Sequence, residues 1–183
     1  PPYTAGSTRT PDVPAAPPEV TGGNVPTERP AVYTFDFSTA SSTFKGSEHD
    51  KITAADSSPS NGKSMNWSYR YGKRFQYAIS TIERGALAGG IAMKLSVKGN
   101  QKSFILVSFE EQSGEAYWAV VPITTTWSVV ELPFDKFQRD QEKKRKDGRF
   151  QPEDVISVTI ADATGFEGAK GDQKIQVADW VIY

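Results

Sequence analysis

The residues that could do acid, base or metal chemistry are few, and their spacing suits none of it well. A single histidine, His49, lies in the polar stretch GSEHD with no partner that spacing would bring beside it. A lone loop histidine is ordinarily solvated rather than catalytic. The chain has no cysteine, which excludes disulfides, thiolate nucleophiles and thiolate zinc sites. No GxSxG or phosphate-binding loop is present, and GALAGG at 85–90 reads as a turn. Glu110 and Glu111 are adjacent, hence on opposite faces of any strand, which is poor geometry for a glycosidase pair. No catalytic residue is expected. What remains is oxygen ligation: Asp36 and Asp179, near the two ends of the chain, could share a calcium ion if the first and last strands are neighbours. Two unrelated surface aspartates are the alternative.

The elements that would position any site are strands. Ala31–Phe37 reads as the first, followed by a Ser-rich loop from Ser38 to Ser47 and a weak strand near Ile52. Met65–Tyr71 alternates, with Met65, Trp67, Tyr69 and Tyr71 on one face. Phe75–Ile82 is the next strand, and the Gly-rich turn 85–90 ends it. In Ile91–Lys98 the residues Ile91, Met93, Leu95 and Val97 face inward. After Tyr117–Val121, Pro122 cannot donate to a ladder, so the strand should end there or lie at an edge. Trp127–Leu132 follows, stopped by Pro133, and Phe134 and Phe137 share a short helical turn. Val155–Ala161 and Lys174–Tyr183 complete the set. Short strands, intervening turns and no long helical period predict an all-β, two-sheet antiparallel sandwich of the jelly-roll kind. Its expected core includes Trp67, Trp118, Trp127, Leu95 and Phe134.

Two strands are apolar on both faces. Phe104, Leu106 and Ser108 oppose Ile105, Val107 and Phe109; Trp118 and Val120 oppose Tyr117, Ala119 and Val121. A strand of that kind is expected to be covered on both sides. With Trp118 assigned to the core, the face bearing Ile105, Val107, Phe109, Tyr117, Ala119 and Val121 becomes an outer apolar patch that calls for a covering partner. A parity shift through a bulge is the alternative.

Composition separates the chain into two parts. Eight of the 12 prolines lie in residues 1–30, a stretch too poor in apolar residues to repay its ordering entropy. It reads as an extended arm or linker, with Pro17–Pro18 favouring polyproline II; residues 31–183 form the sandwich. As a narrow ribbon, the arm would cover only part of an apolar sheet face. The formal net charge of the 183 residues is −1, which gives no reason to expect nucleic acid. No apolar run approaches the ~20 residues that span a bilayer. Residues 139–149 (RDQEKKRKDGR) carry six basic and three acidic side chains, a solvated loop by default.

Five stretches, TFDF, GKSMNWSY, Trp118 to Phe137, PEDVISVTI and IQVADWVIY, together resemble family-eleven carbohydrate-binding modules, which have a galactose-binding-like jelly roll. More distantly they are similar to domains of the complex I intermediate-associated protein type. The resemblance implies a non-catalytic module that binds β-glucan chains in a concave groove, located outside the cytoplasm (periplasmic, secreted or at the surface). It also implies a structural calcium held by Asp36 and Asp179, although the acidic residue usual after the first strand's Asp-Phe is Ser38 here. The tyrosines expected in the groove fall at Glu142–Arg145 and near Asp162. Phe75, with Tyr77 close by, is the surviving aromatic, and Arg70 and Asp162 complete the carbohydrate-binding set.

Two functions follow, of different classes. In the first, the module docks a protein partner through the apolar face and serves as an accessory subunit of a larger assembly. In the second it binds a β-glucan-like polysaccharide. The aliphatic face weighs toward docking, since polyol hydroxyls would find no hydrogen-bonding partners there.

Overall fold

The computed structural model describes residues 29–71, 76–143, 146–163 and 171–183. Their strands, in chain order, are β1 Tyr33–Thr34, β2 Phe44–Gly46, β3 Lys51–Ala55, β4 Ser64–Tyr71, β5 Tyr77–Thr81, β6 Ala92–Gly99, β7 Ser103–Glu111, β8 Ala116–Ile123, β9 Ser128–Pro133, β10 Gln138–Arg139, β11 Val155–Asp162 and β12 Gly171–Ile182. They form two antiparallel sheets. The first runs β3-β4-β12-β6-β9, with β1 paired to the end of β12; the second runs β10-β8-β7-β11-β5-β2. The expected antiparallel sandwich is therefore present. Residues 1–28 of the expected arm lie outside the described residues.

Several boundaries differ from expectation for local reasons. The first strand is short, because Asp36 accepts the backbone N–H of Ser38 at 2.8 Å and starts a helical turn at Phe37–Thr39. Pro122 lies inside β8, opposite Phe104. β10 pairs only with Tyr117 and Trp118, so the proline falls where β8 is an edge, the second of the two expected outcomes, and no ladder donor is needed. Ile91, placed inward by alternation, precedes β6 and is 47% exposed.

The core lies between the sheets. From the first come Met65, Trp67, Met93, Leu95, Val97, Ile175, Val177 and Trp180; from the second come Ile105, Val107, Phe109, Tyr117, Ala119, Val121, Val158 and Ile160. This corrects two expectations. The six residues assigned to an outer partner surface (Ile105, Val107, Phe109, Tyr117, Ala119 and Val121) are all buried in the sandwich. Trp118 and Trp127 are only half-buried, and it is Trp180 that is fully enclosed. Alternation could not decide the parity of β7 and β8, because both of their faces are apolar.

Beyond the sheets, an aromatic cluster closes one end of the sandwich. Phe134 and Phe137, on the turn after Pro133, meet Phe109 and Phe150 at centroid separations of 4.8–6.1 Å. Phe150 reaches the cluster because two buried glutamates in the β7–β8 turn hold the chain leading to it. Glu115 accepts the N–H groups of Asp147 and Gly148 at 3.2 and 3.0 Å. Glu111 accepts that of Gln151 at 2.7 Å.

Candidate functional site

Turning Tyr117, Ala119 and Val121 inward turns Trp118 and Val120 outward, since adjacent strand residues face opposite ways. The register of the second sheet then assembles an outer face row by row. Gln138, Trp118, Ser108, Thr159, Ile79 and Lys45 lie in line across six strands. On one side of that row run Ala116, Glu110, Ser157 and Thr81; on the other run Val120, Leu106, Ala161 and Tyr77. Tyr77 is among the most exposed large apolar side chains, at 37%.

The arrangement pairs aromatic faces with hydroxyls. Trp118 and Tyr77 stand three strands and two residues apart, about 16 Å on the usual sheet lattice. Ser108 and Thr159 lie between them, and Ser157 and Thr81 lie in the row on the other side of Trp118; all four present side-chain oxygens that both donate and accept. Glu110 at the side of this face is tied to Lys143 of the charged loop at 3.1 Å. Aromatic rings match the C–H faces of sugars, and interleaved hydroxyls match their edges.

Of the residues expected to bind carbohydrate, only Tyr77 is placed on this face by the structure. Phe75 lies outside the described residues. Arg70 is corrected: it points out from the first sheet, 3.9 Å from Asp172, because its alternation partner Tyr69 is buried. Asp162 is corrected too. It follows Ala161 and so takes the inward side, where it is 9% exposed and close enough to Asp50 to raise that residue's pKa. Burial is the larger cause of the Asp50 shift, opposed by a hydrogen bond from Trp67 Nε1 at 2.9 Å. The residue that sequence reasoning missed is Trp118. Its signal is the both-sided apolarity of β8, which leaves either face open to the indole.

Asp36 and Asp179 are brought to one region of the fold, since β1 pairs with β12 and Phe35 N–H donates to the Trp180 carbonyl at 3.0 Å. Both line a pocket of about 440 Å³ with Thr34, Phe35, Phe37, Gly62 and Lys63. Asp179 sits at an irregularity in β12 with φ +50°. Its Oδ1 accepts from the hydroxyls of Ser58, at 3.2 Å, and Ser60, and its Oδ2 accepts from Ser96 at 3.2 Å. Calcium takes six to eight oxygen ligands, with carboxylates prominent among them. Here no third carboxylate joins the pair among the described residues, a lysine lines the pocket, and both Asp179 oxygens already accept hydroxyls. The set does not fit calcium.

No protein-family model and no curated protein matches the sequence. The fold does have solved counterparts. The family 11 carbohydrate-binding module from Clostridium thermocellum, in complex with a β-1,3-1,4-mixed-linked tetrasaccharide, superposes with a TM-score of 0.64 at 16% identity, covering 81% of this chain and 93% of that one. The family 11 module of the cellulosomal cellulase Lic26A-Cel5E of the same organism gives 0.64 at 16%, covering 82% and 92%. The family 30 module of the cellulosomal cellulase Cel9D-Cel44B, also from C. thermocellum, gives 0.55 at 11%, covering 85% and 93%. The chain has the carbohydrate-binding-module jelly-roll fold.

Proposed function

We propose that the chain is a non-catalytic carbohydrate-binding module that holds a β-glucan-like polysaccharide across the outer face of its second sheet. Trp118 carries this reading. Its side chain is outward and half-buried, in line with hydroxyl-bearing residues and on the same face as Tyr77. A glucan laid across the strands would stack one sugar on Trp118 and another near Tyr77. Ser108 and Thr159 would exchange hydrogen bonds with the sugars between. The solved counterparts with this fold include one complexed with a mixed-linked tetrasaccharide, which supports the choice of ligand class. No helix among the described residues is long and apolar enough to cross a membrane; a polysaccharide ligand implies an extracytoplasmic location.

A docking role draws less support. Its six-residue surface is in the core, and the apolar side chains left on the outer face, Phe104, Leu106 and Val120, are half-buried. Calorimetric titration with a soluble mixed-linked β-1,3-1,4-glucan tests the proposal. Wild type should bind, and Trp118→Ala should weaken binding about tenfold, the scale of one lost aromatic stack. A folded wild-type chain with no affinity for the glucan would reject this function, and a pull-down from the native source would then test docking.

A further inference from the structure

We infer that the outer face of the first sheet is a second, separate binding surface, built for an anionic polysaccharide. It is independent of the Trp118 face, which lies on the opposite side of the sandwich. Register places two rows side by side: Lys51, Ser68 and Lys174 in one, and Thr53, Asn66, Gln176 and Lys98 in the next. All point outward, since the alternating residues Trp67, Val97, Ile175 and Val177 are buried.

Charge on this face is uneven in a chain of formal net charge −1. Its strands turn outward five cations, Lys51, Arg70, Lys94, Lys98 and Lys174, with three carboxylates nearby. Each carboxylate has its own neighbour. Asp172 lies beside Arg70, Glu131 is in register with Lys94, and Asp179 is held by serine hydroxyls. Lys51, Lys98 and Lys174 have no ion-pair partner among the described residues. In the sheet lattice Lys51 and Lys174 stand about 10 Å apart, two strand spacings, and Lys98 is a similar distance from Lys174.

Polar side chains fill the space between these lysines. Asn66 Oδ1 is shielded from solvent and has no hydrogen-bond partner among the described residues, a costly state for a buried acceptor. The polar surface open to a ligand between the lysines is that of Ser68, Thr53 and Gln176, each partly exposed. The indole of Trp127 ends the second row, with Lys98 Nζ 4.8 Å from its ring centroid.

Sparse cations around amide and hydroxyl groups favour a sugar polymer with intermittent carboxylates or sulfates. Nucleic acid carries a charge every ~3.4 Å per strand, denser than three ammonium groups about 10 Å apart can match. The one aromatic ring here is already engaged by Lys98, so it offers little to a base.

The test is a titration with polygalacturonate over a range of salt, using wild type, the triple variant Lys51→Gln/Lys98→Gln/Lys174→Gln, and Trp118→Ala, each checked for fold by circular dichroism. Three neutralised charges should make log K fall against log salt with a slope of about −2, by the ~0.7 per charge seen for single polyanion strands. The triple variant should lose that slope and about tenfold or more in affinity at low salt, while its affinity for the neutral mixed-linked glucan stays at the wild-type value. Trp118→Ala should leave polygalacturonate binding intact, so the two faces fail or survive separately. No polygalacturonate binding by wild type, or equal binding by the triple variant, overturns the inference. Tighter binding of an oligothymidylate than of polygalacturonate overturns it in favour of nucleic acid.

Discussion

Phe109 on β7 lies directly opposite Tyr117 on β8, and both rings are closed off from solvent between the sheets. That one pairing fixes the parity of both strands. It puts Ser108 and Trp118, the next pair along, on the outer face together. It also draws Phe150 over Tyr117, at a centroid separation of 5.2 Å, so the charged loop before Phe150 ends against the core.

The parity has a direct consequence for stability. Trp180 is fully buried and stacks on Phe35 with ring centroids 4.2 Å apart; Trp180→Ala should cost about 3–5 kcal/mol. Trp118→Ala, on the outer face, should cost under about 1.5 kcal/mol. Urea unfolding of the two variants measures the difference, and equal costs would show that Trp118 is a core residue after all.

Most of the fold was legible in the chain because β4, β6 and β12 alternate with polar outer faces, and a one-residue slip would expose Trp67, Leu95 or Val177. The site was not legible, because β7 and β8 lack that contrast. When Phe104, Leu106 and Val120 oppose Ile105, Val107 and Val121, alternation gives two equal answers, and only packing chooses. Side-chain size favoured Trp118 for the core. The aromatic layer of Phe109, Tyr117, Phe134, Phe137 and Phe150 instead fills that volume, but it assembles from residues far apart in sequence.

Calcium should be dispensable. Asp179 joins the 58–62 loop to β6 and β12 through three serine hydroxyls. Asp179→Asn tolerates the same left-handed backbone but is a weaker acceptor for those donors, and should cost about 1–3 kcal/mol. Thermal unfolding of wild type should be the same in excess calcium and in chelator. A bound structural ion at a hundred times its Kd would add about 2.7 kcal/mol, and a rise in Tm of that order would restore the metal site.

The Tyr117 hydroxyl is buried without a hydrogen-bond partner among the described residues. Burial, with Glu115 and Glu111 nearby, pushes its pKa to about 12. Deleting an unsatisfied polar atom and keeping the ring should be neutral or stabilising, so Tyr117→Phe should gain up to about 1 kcal/mol in urea unfolding. A clear loss would reveal a partner for the hydroxyl.

The last prediction concerns acid, and turns on two glutamates of one turn whose pKa values move in opposite directions. Burial pushes Glu111 above its ordinary 4.5, more than the N–H of Gln151 and the hydroxyl of Ser113 pull it down. For Glu115 burial also acts upward, but the backbone N–H groups of residues 146–148 outweigh it, and the pKa falls below 4.5. A lowered pKa means the unfolded chain takes the proton first, so the stability contributed by the Glu115 carboxylate is full above pH 4.5 and is lost as pH falls through the folded value. Asp154, held below 3.8 chiefly by its hydrogen bonds from Arg84, adds a loss of the same sign at lower pH. Glu111 runs the other way: its contribution is full below pH 4.5 and is lost as pH rises through the raised folded value. Two variants separate these effects. At neutral pH Glu115→Gln should be less stable than wild type, because a neutral amide accepts three N–H groups more weakly than a carboxylate. Glu111→Gln should be as stable or more so, because it removes a buried charge and keeps an acceptor for Gln151. In urea unfolding repeated at falling pH, the Glu111→Gln difference should shrink first, as pH passes down through the raised folded value to 4.5, and the Glu115→Gln difference only below pH 4.5, as pH falls through the lowered one. If both variants shift stability in the same direction at neutral pH, the two carboxylates do not play opposed roles in holding the 146–151 segment.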